Sequence, residues 1–311
     1  MLSQEKELTG LKVIFFMFGL SIMSWVPRFP DVKANLGLSN GEFGSLISLG
    51  VFGNVAALLT VGHLVHKFGA QLMMRVSTLA FSTSIIILTQ TSSSFVFLIF
   101  MIIQGAGISA FHISINAQGF NFQDRTKKQV ITLLSGYWSS GALLTSVIAG
   151  ILVDLVSIEI HIAVLSILCL IIMLQTISTM TPNLLKSNEN PESDVKLGEI
   201  FKGFNFDMMV SGGLLCAIML EFAVSDWSAI FLKEDLGILS GIHTLPFILF
   251  TFTMIIGRLN FHRLLPHYSM QRLSQVASLI SGISFLIGIA AVSAVGTGNK
   301  TLTIIILSVS F

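Results

Sequence analysis

Ten stretches of the chain are continuously apolar, at approximately 11–27, 41–65, 73–90, 95–119, 129–153, 160–179, 208–231, 239–259, 273–295 and 302–311. Most are near 20 residues long, about the length a helix needs to cross a bilayer core. None alternates polar and apolar residues with the two-residue period of a barrel strand. In lipid only a helix satisfies every backbone group within such a segment. The fold class expected is therefore an all-α membrane protein. Composition agrees: 53% of residues are hydrophobic and 11% are charged, against about 25% charged in a soluble domain. Mean hydropathy is +0.86. A soluble enzyme and a disordered chain are excluded. The formal net charge of +1 gives no electrostatic footprint for a nucleic acid partner; the lipid bilayer is the expected surrounding.

Cys169 and Cys216 both lie in apolar runs, so neither a disulfide framework nor a metal site is readable. The first run ends at Ser24-Trp25-Val26-Pro27-Arg28 with no small-x-small cleavage site. It is read as a retained span rather than a signal peptide. Six runs precede one long polar interruption, Thr181 to Phe204. The domain plan expected is a six-helix bundle over 1–180, a linker over 181–204, and a second, partial bundle over 205–311. Lys and Arg divide unequally between the two sides of the alternating spans. Thirteen, among them Arg75, Lys127, Lys128 and Arg272, share the side of the N-terminus; the other four are Arg28, Lys33, Lys233 and Lys300. The positive-inside rule places the N-terminus and the linker in the cytoplasm.

The halves repeat. Trp25 and Trp227 are 202 residues apart, Leu36 and Leu236 are 200 apart, and His66 and His262 are 196 apart. Leu36-Gly37-Leu38 precedes the second span, and Leu236-Gly237-Ile238 precedes the eighth. A unit of about 200 residues and six spans, used twice, would need about twelve spans. The chain supplies about nine and a half. The tenth run holds about ten residues, so the second half is expected to be C-terminally incomplete and the 311-residue form unstable or inactive in uptake.

Two six-span halves joined by a polar linker resemble the major facilitator superfamily. The loop after span two strengthens the likeness. The superfamily pattern Gly-x-x-x-Asp-Arg/Lys-x-Gly-Arg/Lys reads here Gly62-x-x-x-His66-Lys67-x-Gly69-Ala70-Gln71. The glycines and the cation match, and histidine stands at the acidic position. The second half repeats the substitution in Gly257-Arg258-Leu259-Asn260-Phe261-His262-Arg263. Five further stretches resemble a branch of uncharacterised bacterial inner-membrane permeases within that superfamily: Ser24–Pro30, Ile115–Gly119, Gly136–Gly141, Glu221–Trp227 and Gly257–Leu259. Where the branch usually has a carboxylate before the asparagine of span four, this chain has His112; where it usually has a histidine opening a span-five motif, it has Ser135. The resemblance implies solute transport by alternating access, a cavity lined by spans one, four, seven and ten, and Gly62, His66, Lys67, Gly69, Arg258, His262 and Arg263 as parts of gating loops.

Read from the residues themselves, Gly105, Ser109, His112 and Asn116 of span four fall on one helical face. A polar stripe on a membrane helix faces either a cavity or a close helix seam. In span seven Glu221, Ser225 and Ser228 share a face, and Glu221 lies near midplane depth. Asp226 points elsewhere, toward an outer vestibule or Arg28. Arg28 reads as an anion contact or an interfacial anchor, Trp138 as a stacking surface, and Asn54 as a polar contact or packing glue. Gly37-Leu38-Ser39-Asn40-Gly41 matches the hydrolase G-x-S-x-G run, but Ser39 and Glu42 form a capping box that starts span two. Asn299-Lys300-Thr301 fits a glycosylation pattern by chance.

The function expected is secondary active transport of a small solute across a cytoplasmic (inner) membrane by a monomer. Coupling to H+ is assigned to Glu221, with His112 and Asn116 at the substrate. No cofactor, metal or ATP site is implied, and neither the H-E-x-x-H nor the G-x-x-x-x-G-K-[ST] pattern that would mark an enzyme or ATPase is present. The alternatives are an inactive truncated permease, and a ten-span drug/metabolite-type carrier; the latter repeats every five spans, unlike the 200-residue unit here.

Overall fold

A computed structural model describes residues 4–180, 208–238, 241–264, 267–295 and 299–310. The linker Thr181–Phe204 lies outside the described residues. Span one is α1 (Gln4–Ile22), continued by a 3-10 turn (Val26–Arg28) and α2 (Phe29–Leu36). Pro27 and Pro30 occupy the first turns of these two short helices, where a backbone N–H has no helical partner to lose. Gly37 ends α2 at φ +65°, a left-handed cap that favours glycine. Gly237 adopts φ +61° at the repeat-equivalent position, 200 residues on.

Span two is divided into α3 (Asn40–Ser48) and α4 (Gly50–Phe68). The Ser39 hydroxyl accepts from the Glu42 amide, and the Glu42 carboxylate accepts from the Ser39 amide at 2.9 Å, completing the capping box. Gly69, at φ +84°, turns the chain into α5 (Ala70–Gln90). His66 and Lys67 were expected in the loop; they lie in the last turn of α4, because the helix persists past its apolar stretch. Span four, α6 (Ser94–Thr126), has 33 residues. At 1.5 Å per residue it is about 50 Å long and outreaches a core of about 30 Å. Then follow α7 (Ile131–Leu152), α8 (Ile158–Thr179), α9 (Met208–Glu234), a 3-10 turn (Gly241–Thr244), α10 (Leu245–Leu264), α11 (Met270–Val295) and α12 (Lys300–Ser310). The 11 residues of α12 span about 16 Å, half a crossing.

Within the first half α6 packs on α4 and α5, and α1 packs on α7 and α8. Phe18, Phe81 and Phe111 fill the centre, with ring centroids 4.6 to 5.7 Å apart. Glycines set the closest crossings. Gly19 meets the backbone of Trp138, and Gly141 meets the backbone of Phe16 and Leu20, so α1 and α7 touch main chain to main chain. Gly53 and Gly105 do the same for α4 and α6. This is the small-residue packing that membrane helices use in place of a hydrophobic drive. The halves meet where α7 lies on α10 and where α9 lies on α2. Large apolar side chains such as Phe52, Leu58, Ile160 and Leu286 are exposed, forming the outer belt a lipid solvent accepts.

Candidate functional site

The α1–α7 crossing fixes Phe15 and Trp138 on facing helices, with His112 of α6 near Phe18 at 6.3 Å between rings. Between these helices and α10 lies a cavity of about 610 Å³, lined by Phe15, His112, Asn116, Ile131, Thr132, Ser135, Trp138, Met254 and Gly257. Phe15 lies just past the middle of α1, Ile131 through Trp138 in the first half of α7, and His112 and Asn116 in the second half of α6. Most of these lie toward the end of the bundle that carries the N-terminus. The described lining has no carboxylate, lysine or arginine. It offers aromatic faces, two hydroxyls, an imidazole and an amide. The Asn116 side-chain nitrogen donates to the His112 carbonyl at 2.8 Å, which orients its amide oxygen to accept. One turn nearer the N-terminus, the Lys12 ammonium lies 5.5 Å over the Tyr137 ring.

The polar stripe of span four divides between two surroundings. His112 and Asn116 face the cavity. Ser109 donates to Asn54 Oδ1 at 3.0 Å, and Gly105 approaches the Gly50 carbonyl. Asn54 thus sits in the α4–α6 seam and not in the cavity.

Arg28 is 3% exposed. It pairs with Asp31 at 2.5 Å and donates to the Val156 carbonyl at 3.3 Å from two nitrogens. It does not pair with Asp226, whose carboxylate accepts from the Ser225 hydroxyl at 2.9 Å. Glu221 and Asp226 both lie on α9. Of the gating-loop residues, Gly62, His66 and Lys67 lie on α4, and Gly69 turns the chain. Arg258, His262 and Arg263 lie on the last two turns of α10, their side chains outside those described. Gln71, next to Ala70 where the superfamily pattern puts a cation, donates to the Ile177 carbonyl at 2.8 Å and caps α8.

Phe15, Thr132 and Met254 were not singled out from sequence, and Ser135 was noted only as a departure from the branch pattern, although a 3.6-residue face drawn through Trp138 reaches it. Nor was a charged cluster at the far end of the bundle. There Lys33 meets Glu234 at 2.5 Å and Asn40, and Lys233 meets Asp31 at 2.5 Å. The signal existed: Asp31 and Lys233 stand 202 residues apart, the same offset as the paired tryptophans.

Helices in two packed sets, lipid-facing side chains around them and a polar cavity between them define a multi-pass membrane carrier scaffold. The sequence profile of the Major Facilitator Superfamily matches residues 12–311, and the chain belongs to that family. It is 24% identical over 258 residues to membrane protein MosC of Rhizobium meliloti, covering 83% of this chain and 61% of that protein. An uncharacterised MFS-type transporter of Yersinia pestis is 24% identical over 283 residues, 90% of this chain and 71% of that one. The chain thus spans about three fifths of the length of MosC. Among solved structures it is similar to the nucleoside transporter NupG, at a TM-score of 0.70 and 13% identity, over 97% of this chain and 77% of that chain. A point mutant of NupG gives 0.75 at 14% identity with the same coverage.

Proposed function

We propose that the protein is a secondary active transporter of the bacterial inner membrane that moves a small, uncharged, ring-bearing solute by alternating access. The observation that carries this reading is the cavity between α1, α6, α7 and α10, shared by both halves, whose described lining is aromatic-walled and uncharged. Trp138 and Phe15 stack on the ring. Asn116, His112, Ser135 and Thr132 exchange hydrogen bonds with its polar edge, which fixes orientation as in other small-molecule sites. A charged solute would enter this part of the cavity unpaired, at a cost of several kcal/mol. Nucleosides fit the description and are the cargo named for NupG, which shares the fold.

The excess of Lys and Arg on the N-terminal side supports a cytoplasmic N-terminus, which would put the cavity's lining nearer the cytoplasmic end. Glu221 carries the coupling proton. It is half-buried on α9, and an intramembrane carboxylate is expensive unless paired or protonated. The binding test is a thermal-shift screen of neutral nucleosides and monosaccharides on the purified protein. A solute that stabilises the parent and not the Trp138→Ala or Asn116→Ala variant supports the reading. Stabilisation that survives both substitutions places the solute elsewhere.

A further inference from the structure

In the first half, α1, α5 and α8 pack against one another. Two contacts near the N-terminal end fix their register. The Gln71 side chain of α5 donates to the Ile177 carbonyl of α8 at 2.8 Å. A Cβ added at Gly10 of α1 would lie 3.7 Å from the Thr176 methyl of α8. Eleven residues make about three helical turns, about 16 Å, and return to within about 20° of the starting face. Eleven residues on from Gly10 and Gln71 stand Ser21 and Ser82. Span six runs against spans one and three, and eleven residues back from Ile177 stands Ser166. The three serines therefore share one depth, on the faces by which these helices touch. The Phe18 and Phe81 rings, 5.7 Å apart, match the depths of α1 and α5 independently.

Ser21, Ser82 and Ser166 are 0%, 0% and 1% exposed, and none of their hydroxyls has a hydrogen-bond partner among the described residues. Other hydroxyls on α5 and α8 behave differently. Ser77, Thr78, Ser84 and Thr89 of α5 and Thr176 of α8 each donate to the carbonyl one turn back, a common refuge for a hydroxyl within a helix. A buried hydroxyl left unpaired is costly, and here three of them converge. His161 lies five residues from Ser166, about 140° round α8, and is not part of the group.

We propose that an internal water molecule sits at the junction of α1, α5 and α8 and links the Ser21, Ser82 and Ser166 hydroxyls. A buried water makes about three hydrogen bonds, to groups that otherwise have no partner. A shared water also joins hydroxyls about 5–6 Å apart, too far to bond one another directly. A neutral ligand suits these donors. α5 has no acidic residue, and the acids of α1 and α8, Glu5, Glu7 and Glu159, stand in their first turns, so no carboxylate of these helices balances a cation at this depth. The described lining of the solute cavity includes none of the three serines, and the inference does not depend on the transport reading.

The test is X-ray radiolytic footprinting of the purified full chain in detergent micelles, read residue by residue by mass spectrometry. Hydroxyl radicals form from water and react before they travel far, so a sealed side chain is oxidised only where internal water lies beside it. Phe18, Phe81 and Cys169 are buried within three residues of the serines, and Phe97, equally buried, is the dry control. In the parent the first three should be oxidised well above Phe97. In the Ser21→Ala, Ser82→Ala, Ser166→Ala triple variant they should fall to its level. Thermal melts give a second readout. Each single alanine should lower the melting temperature, and the triple variant should lose less than the three single losses combined, because the hydroxyls share one partner. Oxidation at the Phe97 level in the parent overturns the water. So does a single alanine variant that melts above the parent, since that is the behaviour of a hydroxyl buried without a partner. A higher melting temperature in sodium chloride than in choline chloride, abolished by Ser166→Ala, also overturns it and puts a cation in its place.

Discussion

Gly141 offers a measurable test of how the cavity is held. A Cβ there would lie 2.8 Å from the Leu20 amide nitrogen and still nearer the Phe16 carbonyl, both main-chain atoms that cannot swing aside. Alanine therefore forces α1 and α7 apart. Overpacking of this kind costs about 1–3 kcal/mol. Against it, replacing a helical glycine gains up to about 1 kcal/mol in propensity. Gly282, on α11, has nothing within 4 Å of its added Cβ, so Gly282→Ala measures the propensity gain alone. The difference between the two variants isolates the steric cost. Gly141→Ala should be less stable than Gly282→Ala by about 1–3 kcal/mol in denaturant titrations in mixed micelles. Gly19→Ala strikes the same crossing, so its cost should not add fully to that of Gly141→Ala. Because Trp138 rides on this crossing, ligand stabilisation should fall with Gly141→Ala and persist with Gly282→Ala. Equal stabilities for the two alanine variants would refute the claim that backbone contact at Gly141 positions the cavity wall.

Three further outcomes follow from named contacts. Asn54→Ala and Ser109→Ala should couple in a double-mutant cycle by about 0.6 kcal/mol, the average for hydrogen bonds between membrane helices, while leaving solute binding unchanged. His161, 5% exposed and with no partner at either ring nitrogen among the described residues, carries an uncompensated desolvation cost; His161→Leu should raise stability by about 1–3 kcal/mol in the same titrations. Single cysteines at Lys127 and Asn299, tested with an impermeant thiol reagent on intact cells, should be silent and labelled respectively, and the reverse pattern would invert the orientation.

The spans were legible because bilayer thickness dictates run length directly, and α5, α7 and α8 begin and end within a few residues of their apolar runs. The pairing of Trp25 with Trp227 was legible in the sequence, and the left-handed caps at Gly37 and Gly237 share its spacing to within two residues. Less legible was how one helical face divides. Gly105, Ser109, His112 and Asn116 form a single stripe in sequence, but α6 passes from the seam with α4 to the cavity along its length, and only the tilt of the packed helices decides where. The break of span two at Leu49 also escaped notice, since no proline or glycine at that residue marks it. The cross-half ion pairs escaped for another reason. Read singly, Asp31, Lys33, Lys233 and Glu234 are ordinary loop charges; their opposition becomes visible only when the repeat offset is laid over the charges.

The central claim is gradient-driven transport through Glu221, and uptake into proteoliposomes under an imposed pH gradient tests it most directly. The full-length protein, supplied with a solute identified by thermal shift, is compared with Glu221→Gln. The account predicts that the parent accumulates solute when the pH gradient is imposed. Glu221→Gln should lose accumulation while retaining solute exchange, because the amide preserves shape and hydrogen bonding but cannot release a proton. Accumulation by Glu221→Gln equal to that of the parent would contradict the account and leave Glu221 a structural carboxyl.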